Sequence, residues 1–249
     1  MNHFRHPLRY RQLPTSRRNA SGSSLASRLK RNALYALLSL ALGSVAAVGL
    51  LRFAPAPTSA FMLHEHIDDW VEGKGYRPID QHWVGSKRIS KHAFAAVIAS
   101  EDQRFYQHHG FDVDAIYRAY DQYQRGGKLR GASTISQQVA KNLFLSPARN
   151  FGRKALEIWF TFLIETLWSK GRILEVYLNV AEFGDHVYGI EAASRRYFGV
   201  SASHLSANQA ALLAATLPNP LLFRADKPSA YVYRRQNWIL GQMRNLALN

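Results

Sequence analysis

Cysteine is absent from the 249 residues, so neither a disulfide framework nor a thiolate metal site can be built, and stability has to come from packing. An oxidising compartment is thereby permitted without being indicated. Acidic residues are missing from the first 60 positions, which hold nine Arg or Lys, whereas 23 basic residues face 17 acidic ones in the rest of the chain. There is no G-x-G-x-x-G turn and no alternation of strand and helix patterns, which argues against a doubly wound nucleotide-sugar transferase. No internal repeat is evident.

What is present begins with enough apolar material, 47% of residues, to bury one sizeable core. Residues 1–31 form a basic arm (Arg5, Arg9, Arg11, Arg17, Arg18, Arg28, Lys30, Arg31) interleaved with Ser, Pro and Asn, a composition that favours disorder. From Ala33 to Leu51 no residue is charged, and a helix over 32–53 is a transmembrane candidate. A buried core helix or the apolar part of a signal peptide would share that composition, but a basic flank of about thirty residues is too long for a signal peptide. Positive charge stays on the cytoplasmic side during insertion, so the arm is expected inside and everything after Arg52 outside. Residues 54–60, with Ala54-Pro55-Ala56-Pro57, read as a stiff linker, and 61–249 as the exported domain.

That domain should be mainly α. Phe94, Val97, Ile98, Glu101 and Phe105 share a helical face; so do Leu156, Phe160, Leu163, Ile164 and Leu167, and again Ile173, Leu174, Tyr177, Leu178 and Ala181. Ser206 followed by Gln209 predicts a capping box for a helix that stops before Pro218.

Glu101 ends the first of those apolar stripes. A carboxylate there is partly desolvated and a stronger proton acceptor than a surface glutamate, provided a cation nearby keeps it ionised. A helix-end glutamate satisfied by backbone amides gives the same pattern. Beyond it, Gly110 is expected to turn the chain and Asp112 or Asp114 to cap the next helix. Asp112 and Asp114 lack a preceding strand to present them to a nucleotide, and His108 and His109 lack companion ligands for zinc. Between Ala115 and Leu156, eight basic residues face one acid, Asp121. Arg125–Gly131 reads as a basic Gly-rich loop, after which Ser133 and Thr134 cap a helix and Gln137 completes the box. Thr134, Gln137 and Lys141 then share one face, which suits a pyrophosphate or sugar ligand, as it would an ordinary solvated face. Glu157 adds a second carboxylate beside Arg153 and Lys154; a surface ion pair with Arg153, worth little, would give the same pattern.

Together, residues 93–220 resemble the catalytic domain of the peptidoglycan glycosyltransferases (glycosyltransferase family 51), shared by penicillin-binding proteins and monofunctional transglycosylases. Five blocks occur in order: Glu101-Asp102 with Phe105, His108 and Gly110; Gly131, Ser133-Thr134, Gln137-Gln138, Lys141-Asn142 and Phe144; Arg153-Lys154 with Glu157; Lys170, Ile173-Leu174 and Tyr177-Leu178-Asn179; Gly189-Ile190, Ala192-Ala193 and Tyr197-Phe198-Gly199. Ala132 departs from a frequent Gly and Gln209 from a frequent Glu.

The resemblance implies a mainly α, lysozyme-like fold of two lobes flanking a cleft, the smaller lobe at the membrane. It implies lipid II and the nascent glycan chain as substrates, with the 4-hydroxyl of an acceptor N-acetylglucosamine displacing undecaprenyl pyrophosphate. Glu101 and Glu157 are the implied catalytic residues. Ser133, Thr134, Gln137, Gln138, Lys141, Asn142, Arg149, Arg153 and Lys154 are the implied substrate-binding set, with no residue assigned to metal. A divalent ion, magnesium or manganese, is compatible with the donor pyrophosphate, and no organic cofactor is expected. Membrane lipid and other cell-wall synthesis or division proteins are the expected partners, nucleic acid is not, and the inner membrane is the expected location. With little chain after Pro220, no transpeptidase domain is expected. A glycan hydrolase of similar fold is the rival, disfavoured because it needs no cationic strip.

Overall fold

The computed structural model of the chain describes residues 21–127, 133–148 and 150–246. Its first element, α1 (Ser21–Leu51), begins earlier than the uncharged run, so Arg28, Lys30 and Arg31 continue the helix. The stretch Leu25–Leu51 has mean hydropathy 2.1 and is long and apolar enough to cross a membrane. Its leucines stand in the open, Leu40 at 73% and Leu42 at 70%, which water alone would not favour. The chain divides into two compact units between Ser44 and Val45.

The second unit is mainly α, as expected. After the Pro-rich linker come α2 (Ala60–Val71), β1 (Asp80–Gln81), α3 (Lys91–Glu101), α4 (Val113–Gln124), α5 (Ile135–Phe144), α6 (Phe151–Leu167) and α7 (Lys170–Val180); then β2 (Glu182–Gly184), β3 (Val187–Tyr188), α8 (Ile190–Phe198), α9 (Ala207–Thr216) and α10 (Ala230–Leu246). Carbonyls at the end of α1 are bonded inside this unit: Trp168 Nε1 donates to Val48 O at 2.8 Å and Arg172 Nη2 to Leu51 O at 2.7 Å.

Local chemistry explains where the helices start. Asp112 caps α4, Ser206 and Gln209 form the capping box of α9, and Thr134 and Gln137 that of α5. Two helices are central: α9, apolar nearly all round, which buries Ala210 through Thr216, and α7, which buries a continuous run from Val176 to Val180 together with Ile173 and Leu174. Against α9 pack α3 and α10, and against α5 pack α2, α6 and α7. One expected core position differs: Leu156 of α6 is 51% exposed, because the buried face of that helix runs through Glu157, Thr161 and Ile164 instead.

The three short strands form one sheet in the order β1-β3-β2, β1 parallel and β2 antiparallel to β3. Strands of two or three residues carry no readable periodicity. Asn179, fully buried, ties α7 to the segment after β1, its Oδ1 accepting from Val84 N at 2.8 Å and its Nδ2 donating to Val84 O at 2.9 Å. Gly189 must be glycine, since φ is +83° and a Cβ would stand 2.8 Å from Asn179 O.

Candidate active site

Glu101 is the last residue of α3, and its side chain is 14% exposed. Oε1 accepts from Ser100 Oγ at 2.8 Å and from Arg235 Nη2 at 3.3 Å; Oε2 accepts from Gln138 Nε2 at 3.1 Å. Gln138 is itself held, since buried Tyr177 donates its hydroxyl to Gln138 Oε1 at 3.2 Å. An ionised carboxylate offers about four lone-pair positions; both on Oε1 are occupied, and one on Oε2 remains. The same carboxylate lines a cavity of about 490 Å³ with Ser133, Gln138, Pro218, Tyr231 and Arg235.

The neighbouring Asp102 does different work. Its buried carboxylate receives Ile135 N at 3.1 Å, fixing the start of α5 against the end of α3, and lies 2.9 Å from His108 Nε2. Because Gly110 N donates to His108 Nδ1 at 3.2 Å, the His proton sits on Nε2 and points at Asp102. Burial pushes the Asp102 carboxyl above its ordinary range, against the pull of His108. Lys170 Nζ donates to His108 O at 2.7 Å and to Glu165 Oε1 at 2.9 Å. First- and fourth-block residues thus form a buttress that sets Glu101 opposite α5.

On α5, the structure divides the predicted binding face. Thr134 and Gln137 are buried and committed to the helix start: Thr134 Oγ1 donates to Gly110 O at 2.6 Å, and Gln137 Oε1 accepts from Thr134 N at 3.0 Å. The cap consumes these two side chains and leaves Gln138 and Lys141 to face Glu101. Asn142 is 9% exposed, and its Oδ1 has no donor among the described residues. Among those residues the Lys141 ammonium forms no ion pair or hydrogen bond; it stands over the Phe61 ring at 5.0 Å. Burial pushes its pKa down, while Glu157, Glu101 and Glu182 pull it back up.

Glu157 is 3% exposed, so it is no surface pair. Arg153 Nη1 donates to its Oε2 at 2.7 Å and Lys154 Nζ to its Oε1. Two of the predicted cations are therefore spent on this carboxylate. Arg149, and Lys128 through Ala132 of the basic loop, lie outside the described residues.

Arg235, from α10, contacts Glu101 and was missed by sequence reasoning. Besides Glu101 it reaches Ser100 Oγ at 3.0 Å, and its Nε has no acceptor among the described residues. It lies beyond the five blocks, 134 positions from Glu101; the only signal was a basic residue facing inward on a C-terminal helical pattern.

Among the described residues one group could hold a metal ion: Glu65, Asp185 and His186 bring ligand atoms within 4.8 Å of one another. The imidazole fits a cation poorly, since Nε2 lies 2.6 Å from Asp69 Oδ2 and Nδ1 2.9 Å from Asp185 Oδ1, which calls for protons on both nitrogens. Burial alone would lower the His186 pKa, but the bonds to Asp185 and Asp69 leave it raised.

A helical domain that sets one hydrogen-bonded carboxylate beside a cavity, with an ammonium that has no anionic partner among the described residues, is suited to proton transfer coupled to departure of an anion. The transglycosylase family profile matches residues 71–244, α10 included. Proteins described as biosynthetic peptidoglycan transglycosylase are similar over most of the chain. That of Pseudomonas entomophila (strain L48) is 52% identical over 226 residues, 90% of this chain and 93% of its own. That of Pasteurella multocida (strain Pm70) is 54% identical over 199 residues, 80% of this chain and 81% of its own, and that of Cronobacter sakazakii (strain ATCC BAA-894) 51% over 223, 90% and 92%. The chain belongs to the transglycosylase family. It is a peptidoglycan glycosyltransferase, an enzyme of glycan-chain polymerisation in cell-wall synthesis.

Proposed function

We propose that the enzyme polymerises lipid II, with Glu101 as the base. Its Oε2 accepts the proton of the acceptor N-acetylglucosamine 4-hydroxyl as that oxygen attacks C1 of the donor N-acetylmuramic acid; the bond from C1 to the pyrophosphate oxygen breaks, and undecaprenyl pyrophosphate leaves with the electron pair. The growing chain thus passes from the lipid pyrophosphate to the acceptor. The observation that carries this reading is the occupancy of Glu101, whose Oε1 is filled by Ser100 and Arg235 while Oε2 keeps an open position beside the cavity. Negative charge grows on the leaving group, and Lys141, with Arg149, meets it; a fixed cation placed there lowers the barrier. Ser133, Gln138 and Asn142 line the sugar path, and Thr134 and Gln137 act through the helix cap. Arg153, Lys154 and Glu157 set the field around the pyrophosphate. A divalent ion there would be held chiefly by the pyrophosphate, because Glu157 is already filled by Arg153 and Lys154.

The anchor reading follows the charge. With eight basic residues and no acid ahead of the uncharged run, against Arg52 alone just after it, α1 crosses the inner membrane with its N-terminus in the cytoplasm and the catalytic domain in the periplasm; membrane lipid and cell-wall synthesis or division proteins are its partners there. Labelled lipid II incubated with purified protein tests the chemistry: the parent forms chains, and Glu101→Gln, which keeps shape and loses basicity, forms them about 10²–10⁴ times more slowly. Equal rates would remove Glu101 from the mechanism.

A further inference from the structure

The fixed neighbour of the Lys141 ammonium is a ring rather than an anion, with Phe61 5.0 Å away at its centroid. Phe61 sits in the first turn of α2, outside both the five blocks and the 71–244 span of the family. Its helix is firmly seated. Ser59 Oγ accepts from Met62 N at 3.2 Å, Met62 is buried, Tyr188 OH donates to Glu65 Oε2 at 2.8 Å, and His186 Nε2 lies 2.6 Å from Asp69 Oδ2. Met62, Glu65 and Asp69 share one face, so α2 presents Phe61 to α5 from a fixed side.

Resting on the reading of Lys141 as the cation for the donor pyrophosphate, we propose that Phe61 is a positioning residue for that ammonium, making the helix after the anchor part of the donor site. The negative face of a ring attracts a cation most where water is excluded. It orients the ammonium without neutralising it, as a carboxylate partner would, so the charge stays available to an incoming anion. The ionisable groups around Lys141 are Glu101 from α3, Arg153 and Glu157 from α6 and Glu182 from β2. Glu157 is already held by Arg153 and Lys154. Burial disfavours the charged lysine, and the ring acts in the opposite sense.

The test uses the full chain and labelled lipid II. Phe61→Leu should raise KM about five- to tenfold while kcat stays within about twofold. It should weaken inhibition by inorganic pyrophosphate by a similar factor, and bring the alkaline limb of kcat/KM to lower pH. Phe61→Tyr should recover most of the loss. Fluorinated phenylalanine at position 61 keeps the shape but weakens the negative face, and should act like Leu; this arm decides the matter if Phe61→Leu melts too low to assay. In a Lys141→Gln background Phe61→Leu should have no further effect. An effect that persists there marks plain packing and overturns the proposal, as does a parent-like KM and alkaline limb in Phe61→Leu and the fluorinated enzyme while Lys141→Gln is impaired. Unimpaired donor use in Lys141→Gln itself would sink the reading of Lys141, and Phe61 with it.

Discussion

The two sides of the site treat charge in opposite ways. On the α3 side, the Glu101 carboxylate is met by Ser100, Arg235 and Gln138; on the α5 side, the Lys141 ammonium meets, among the described residues, the Phe61 ring and no anion. A base has to be ionised and aimed before substrate arrives, so the protein supplies its counter-charge in advance. A group that receives a pyrophosphate has to stay uncommitted, and burial without a partner is the cost, seen in the lowered pKa of Lys141. Glu157 keeps the two sides apart by absorbing Arg153 and Lys154, which leaves a single described ammonium open to the ligand rather than a diffuse cationic patch.

Breaking that division at Glu157 should have the largest effect. Glu157→Ala leaves the Arg153 guanidinium, 16% exposed, without its partner, and an uncompensated buried charge costs about 3 kcal/mol. In a domain of this size that lowers the melting temperature by roughly 6–12 °C. Lys154 is 45% exposed, so its own contribution is small. A melting temperature equal to that of the parent would mean that the pair does not hold the strip together.

A smaller effect is expected on the base side. Arg235→Gln removes the cation beside Oε1 but leaves Ser100 and Gln138 in place, so polymerisation should slow about tenfold at neutral pH. KM should change less than kcat, because the lost cation acts on the base rather than on substrate binding. A parent-like rate in Arg235→Gln would show that the neutral donors Ser100 and Gln138 suffice to set Glu101.

The contrast between the two sides was half legible in the sequence. Glu101 could be found because three apolar residues at helical spacing led up to it, and the caps of α4, α5 and α9 because capping is written within four residues. Thr134 and Gln137 were legible twice over, as a capping box and as a ligand face, and only the fold shows that the cap claims both side chains. Arg235 and Phe61 were not legible, because each meets its partner across a long stretch of chain through the packing of α10 on α3 and of α2 on α5. Leu156 was misjudged for a related reason: the burial of Glu157 turns α6 so that its neighbour faces outward.

Glu182 carries the smallest predicted effect and probes the same boundary. It lies within electrostatic reach of Lys141, its Oε1 is buried without a donor among the described residues, and burial, with Glu65 and Asp185 beside it, raises its pKa from 4.5 to about 7. A carboxyl whose folded pKa exceeds the unfolded one binds its proton more tightly when folded, so its stabilisation is complete below pH 4.5 and is lost as pH rises to about 7. The melting temperature should therefore fall by a few degrees, roughly 2–6 °C, across that interval. Glu182→Gln, which cannot ionise, should flatten the fall without abolishing it. His186, whose pKa is raised above its ordinary 6.5, keeps its full contribution below that value and loses it as pH rises through the folded pKa, so its share of the fall lies at the top of the interval and beyond. An undiminished slope between pH 4.5 and 6.5 in Glu182→Gln would remove Glu182 as its source.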